Sequence, residues 1–141
     1  MWTIEEGTEK IRSKGLKITS QRVGILNLLK DRKDHPSAEQ IFREMKETFP
    51  TISFATIYST AQILQDAGLL QILTIDGQRV FFDPEPEPHA HYRCRTCGAV
   101  YDMPFPNGVA KKIRESSPNS IDTIQIYCYG TCSGCLSSTS G

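Results

Sequence analysis

The sequence predicts an α+β protein: an N-terminal winged-helix domain over residues 1–83, a Pro-rich hinge at 84–88, and a small C-terminal α/β domain over 89–141. Three observations carry this. Four segments of helical periodicity are followed by a β-hairpin pattern, the order of a winged helix. The run Asp83-Pro84-Glu85-Pro86-Glu87-Pro88 then interrupts the chain with three prolines, which hold a linker extended and semi-rigid. Finally, the remaining piece, about 50 residues, is small for a core of its own, yet it contains all five cysteines.

Residues 3–14 read as the first helix, ended by Gly15, and residues 19–31 as the second, with Val23, Leu26 and Leu29 on one face. Pro36 suits the first turn of a third helix over 36–48, whose Ala38, Ile41, Phe42, Met45 and Phe49 keep helical spacing. Pro50 ends that segment. Ser53 is a suitable N-cap for a fourth helix buried through Ile57, Ala61 and Leu64 and closed by Gly68. Leu69–Ile75 and Arg79–Phe82 are β-rich and flank the turn signal Asp76-Gly77. Beyond the hinge, strands are expected at 90–94, 99–103 and 121–129, with a short helix at 108–116. The tail Ser137–Gly141 reads as disordered.

The formal net charge is zero, which does not favour a nucleic-acid binder, but its distribution is uneven. Residues 1–33 carry eight basic and four acidic side chains, a net +4, leaving −4 on the remainder. A basic end suits phosphate contact and suits a solvated helix equally. No apolar run approaches the ~20 residues of a spanning helix. The first residues lack the basic-then-apolar order of a signal peptide, so a cytoplasmic protein without membrane contact is expected. There thiols serve as metal ligands or redox centres more often than as disulfides.

Cys94-x-x-Cys97 and Cys132-x-x-Cys135 are two knuckles separated by 34 residues. Four thiolates match the tetrahedral preference of Zn2+, and a site with no open position is structural. Gly98 and Gly134 are expected to form tight turns there. Zinc affinity feeds directly into folding, which answers the small core. A thioredoxin-type redox pair is the alternative, and it needs only one CxxC. Cys128 reads as a small buried hydrophobe. A second group of metal-ligating residue types is scattered. His89 and His91 share one face of a strand, Asp102 falls on the adjacent strand, Asp83 closes the wing, and His35 starts the third helix. Each also has an ordinary structural reading. HExxH, HxE before PCxxC and a nucleophile elbow are all missing from the sequence, so an enzyme is not expected. A zinc enzyme using His89, His91 and Asp102 is the distant alternative.

In the segments His35-Pro36-Ser37-Ala38-Glu39-Gln40-Ile41, Ser53-Phe54-Ala55-Thr56-Ile57-Tyr58-Ser59, the run from His89 to Gly98, and Tyr129-Gly130-Thr131-Cys132-Ser133-Gly134-Cys135, the chain resembles the ferric uptake regulators, and the resemblance covers nearly its whole length. It implies a winged-helix domain, a C-terminal dimerisation domain and metal-dependent binding of a homodimer to double-stranded operator DNA. The chain is most similar to the peroxide-responsive branch, which implies one regulatory Fe2+ or Mn2+ site at His35, Asp83, His89, His91 and Asp102. Ile124 stands where iron- and zinc-sensing branches place a further histidine, and the chain has three histidines in all. The resemblance further implies iron-driven oxidation of a ligand histidine by peroxide, loss of the metal and release of DNA. A sensor of iron, zinc or manganese availability without peroxide chemistry is the alternative within the family. Ser53, Thr56, Tyr58, Ser59 and Gln62 on the fourth helix are expected to face DNA bases. Tyr58 is expected to stand clear of the core because Ile57, Ala61 and Leu64 fill it. Lys17, Arg22 and, on the wing, Arg79 are expected on phosphates.

Overall fold

The computed structural model describes residues 2–85 and 89–139. Residues 86–88 of the expected hinge lie outside them, as do residues 140–141 of the tail. The chain forms two compact units, Met1–Pro86 and Glu87–Gly141, each with helices and a small sheet, so the α+β class expected from the sequence is the one found.

The first unit contains α1 (Ile4–Ser13), α2 (Ser20–Leu29), α3 (Ala38–Thr48), α4 (Phe54–Asp66) and the hairpin β1 (Gln71–Asp76) and β2 (Arg79–Asp83). Each helix starts on a hydroxyl cap. Thr3, Thr19, Ser37 and Ser53 accept hydrogen bonds from the backbone N–H groups of Glu6, Arg22, Gln40 and Thr56, each at 3.1 Å. Gly68, with φ +78°, turns the chain out of α4. The core joins Ile11, Ile25, Leu26, Leu29, Ile41, Ile57, Ala61, Leu64 and Phe82. In α2, Ile25 is buried and Val23 only half-buried, against expectation. This helix packs on α1, α3 and α4, so its buried arc is wider than one stripe. Trp2 seals the N-terminus. Its indole is 3% exposed, and Nε1 donates to the carbonyls of Leu69 (2.7 Å) and Pro84 (3.1 Å).

The third helix begins two residues later than expected. Phe82 N donates to the Pro36 carbonyl at 2.9 Å and Ser37 bridges Phe81, so the edge of β2 recruits residues that the helix would otherwise take. The hairpin turn is Gly77-Gln78. Asp76 remains in the strand, where its carboxylate accepts from Gln78 N at 3.0 Å and Arg79 Nε at 3.2 Å.

The second unit has a three-stranded sheet of order β4-β3-β5. Central β3 (Ala90–Cys94) runs antiparallel to β4 (Val100–Met103) and parallel to β5 (Tyr127–Gly130). Helix α5 (Val109–Glu115) lies in the crossover and α6 (Ser133–Thr139) follows β5. The strand expected over 121–129 is reduced to 127–130. Pairing starts at His91↔Tyr127, and β3 begins at Ala90, so residues 121–125 have no strand to join. The tail expected to be disordered is instead helical as far as Thr139. Its first turn is closed by Leu136 N donating to Cys132 O at 2.9 Å. Among the described residues of this unit only Ala90, His91 and Cys94 are fully buried.

Candidate metal centres and nucleic-acid interface

The four knuckle cysteines converge because strand register puts them there. Cys94 ends β3 opposite Gly130, Arg95 N donates to Gly130 O at 2.7 Å, and Gly98 N closes the first knuckle on Cys94 O at 2.9 Å. Gly98 takes φ +79°, a conformation favouring glycine. Gly134, by contrast, sits in the first turn of α6 and forms no such turn. The sulfurs of Cys94 and Cys135 are 3.8 Å apart and those of Cys97 and Cys132 3.9 Å; all four lie within 4.8 Å of one another. A tetrahedron with Zn–S bonds of about 2.3 Å has edges of roughly 3.8 Å, so the donor set fits this ion in number, element and spacing.

The electrostatics agree. Cys94 Sγ accepts from the backbone N–H groups of Cys132 (3.3 Å) and Cys97 (3.4 Å), which lowers its thiol to about 5. Cys132 is lowered too, by the N–H of Cys135 and then by the Tyr101 hydroxyl. The Cys135 thiol, hydrogen bonded to Cys132, is pushed up to about 12. Packed sulfurs cannot all ionise unless a cation sits among them, and a divalent ion removes the conflict. Tyr101 escaped the sequence reading, since its alternation on β4 marks only an exposed aromatic. Cys128, expected to be buried, is half-buried.

The imidazoles and carboxylates form two groups, one in each unit. In the first, His35 Nε2 lies 3.3 Å from Asp83 Oδ2, and both side chains are buried. The contacts of Pro36 and Ser37 with β2 bring this pair together. In the second, His91 and Asp102 are directly opposite across β3 and β4. His89 Nε2 and His91 Nε2 lie 3.0 and 3.6 Å from Asp102 Oδ1, with the two rings 4.5 Å apart. Each group offers nitrogen and oxygen donors suited to Fe2+ or Mn2+.

On α4, Ser53, Ser59 and Gln62 are exposed and Thr56 is half-buried. The Ser53 hydroxyl is engaged as cap and with Thr56 Oγ1 at 3.0 Å. Tyr58 does not stand clear of the core. Its ring lies 5.3 Å from Phe54 and 6.4 Å from Phe82, because hairpin packing extends the buried arc past Ile57, Ala61 and Leu64. Lys17, Thr19, Arg22 and Thr56 line one concavity, with Arg22 Nη1 donating to the Lys17 carbonyl at 2.6 Å. Arg79 is held on the wing by Asp76 and lies over the Phe81 ring at 5.2 Å.

Four capped helices with a wing, followed in one chain by a sheet carrying a four-thiol centre and clustered imidazoles, define the class of metal-responsive winged-helix regulators. A sequence profile of the ferric uptake regulator family matches residues 13–129, and the chain belongs to that family. It is 31% identical over 134 residues to the peroxide-responsive repressor PerR of Staphylococcus aureus, a match covering 94% of this chain and 90% of that protein. Among solved structures it is similar to PerR of Streptococcus pyogenes, studied for peroxide sensing and gene regulation, at 29% identity and TM-score 0.54 over 96% of this chain and 94% of that one. It is also similar to the ferric uptake regulator of Francisella tularensis with iron, at 28% identity and TM-score 0.68 over 86% and 96% of the respective chains. No helix among the described residues is long and apolar enough to cross a membrane.

Proposed function

We propose that this chain is a dimeric repressor whose operator binding depends on a regulatory Fe2+ or Mn2+ and is relieved by peroxide. The observation that carries the reading is the pair of N/O donor groups, His35 with Asp83 before the Pro-rich segment and His89 with His91 and Asp102 after it. In this reading a single cation takes ligands from both groups and favours one orientation of the two units, closing the hinge around a ligand. The population shift is limited by the difference in metal affinity between the two orientations. Cys94, Cys97, Cys132 and Cys135 hold a structural Zn2+ apart from this switch. Similarity to PerR of two organisms, and a sequence whose three histidines are too few for a second histidine-rich site, favour the peroxide branch.

When ferrous iron is bound, the chemistry it supplies is reduction of peroxide beside the imidazoles; manganese leaves them intact. Mass spectrometry after brief peroxide exposure tests this. Iron-loaded protein is expected to gain one oxygen atom on the peptide of His35 or His89, and manganese-loaded protein none. Oxygen added instead to the cysteine peptides, with zinc release, refutes the reading. If neither form is modified and both still hold DNA, the protein senses metal availability alone.

The proposed DNA contacts divide into base readers and phosphate anchors. Gln62→Ala, on an exposed side chain, is expected to weaken operator binding by about 1–3 kcal/mol without lowering the melting temperature. Tyr58→Ala is expected to lower both, since its ring also packs on Phe54 and Phe82. Lys17→Ala is expected to weaken specific and non-specific binding alike and to reduce the salt slope by about one. Fluorescence anisotropy at several salt concentrations, with melting curves, separates the three.

A further inference from the structure

Between α2 and α3 the backbone twice enters the left-handed region at residues other than glycine, at Asp31 (φ +59°) and at His35 (φ +48°). Such a loop keeps its shape only where surrounding contacts hold it. On the C-terminal side of His35, Pro36 and Ser37 are tied to β2. On the N-terminal side the tie is Arg32. Its guanidinium grips Asp34, the residue before His35, through Nε–Oδ1 at 2.7 Å and Nη2–Oδ2 at 3.2 Å. The same guanidinium reaches α3 through Nη1–Oε2 of Glu44 at 2.8 Å and Nη2–Oε1 at 3.2 Å. Exposed ion pairs hold little together, but this arginine side chain is only 17% exposed and forks onto two carboxylates. A planar guanidinium is suited to that and an ammonium is not.

We infer that the Asp34–Arg32–Glu44 bridge is a positioning device for His35, clamping the loop to α3 so that the imidazole is already aimed at its place beside Asp83. The inference rests on the proposed role of His35 as a regulatory ligand. Its physical content is pre-organisation. If only a fraction of molecules present His35 correctly, the apparent affinity of the site falls by that fraction. Arg32 touches no metal in this scheme and acts through the backbone on either side of Asp34.

The test measures Mn2+ affinity of the full-length, zinc-loaded protein by competition with a fluorescent chelator, alongside the melting of the same protein without Mn2+. Arg32→Met is expected to weaken Mn2+ binding by the fraction of molecules that no longer present His35, at least about fivefold, with zinc content unchanged and the protein still folded at the assay temperature. Arg32→Lys is expected not to restore it. His35→Ala is expected to lose Mn2+ binding. Should Arg32→Met unfold the first unit, Glu44→Gln decides in its place, because it weakens the anchor on α3 and leaves Arg32 on Asp34. Mn2+ affinities within twofold of wild type in the Arg32 variants, or in Glu44→Gln, while His35→Ala binds none, overturn the positioning role. Full Mn2+ binding by His35→Ala overturns the ligand role on which it rests.

Discussion

Replacing Cys94 with serine is expected to remove zinc completely, unfold the second unit and abolish the proposed dimer, while the first unit stays folded. Cys94 is the most buried of the four knuckle cysteines, and its sulfur accepts the two backbone N–H groups that fix both knuckles. The unit around it has little else to hold it. Ala90 and His91 are its only other fully buried described residues, and α5 contributes none. A structural zinc supplies about 10–16 kcal/mol at neutral pH, more than the whole stability of many domains. The first unit keeps its own core of α1–α4 and the hairpin. Zinc analysis, sedimentation and circular dichroism are expected to show a zinc-free monomer with part of its structure retained. A zinc-free folded dimer contradicts the expectation. Acid acts in the same direction. Zinc binds thiolates, so protons compete with it for the four cysteines, and acid is expected to release the metal and with it the stability it supplies.

The elements that were legible in the sequence are those set by local pattern. Ser53 caps α4 as its hydroxyl and position suggested, and Asp102 was legible on the strand next to the histidines, though its pairing with His91 was not. The four cysteines were legible because their spacing is itself a chemical statement. What was not legible depends on distant partners. Trp2 finds its acceptors on Leu69 and Pro84, far along the chain, so nothing around residue 2 announces it. Tyr58 sits at a position that helical periodicity assigns to the exposed side of the Ile57–Ala61–Leu64 stripe, but it is half-buried, with Phe82 from the hairpin packed edge-on to its ring. Arg32 read as one more charge in a basic segment. Its grip on Glu44 appears only once α3 folds back on α2. The strand expected over 121–129 failed for the converse reason: residues of suitable pattern had no partner of sufficient length.

Replacing either His35 or His89 with alanine is expected to abolish the metal dependence of operator binding and to leave zinc in place. The two residues stand in separate units, His35 paired with Asp83 and His89 with Asp102, whereas the zinc cysteines form a closed set of their own. If one cation joins the two groups, losing a ligand on either side leaves the other group unable to report on it. Coupling between two sites is typically worth 5–150-fold in affinity, so Mn2+ is expected to stimulate wild-type operator binding by about that factor and each variant not at all. The decisive measurement is the double variant. Residues serving one ion act as a unit, so removing both is expected to cost no more stimulation than removing one. Two independent sites would instead each keep part of the response in the single variants and lose it only in the double. Anisotropy titrations with and without Mn2+ on wild type, His35→Ala, His89→Ala and the double variant distinguish these cases. Retention of half the logarithmic stimulation in each single variant would show that the His35–Asp83 and His89–His91–Asp102 groups bind metal separately, and a hinge closed by one shared ion would have to be abandoned.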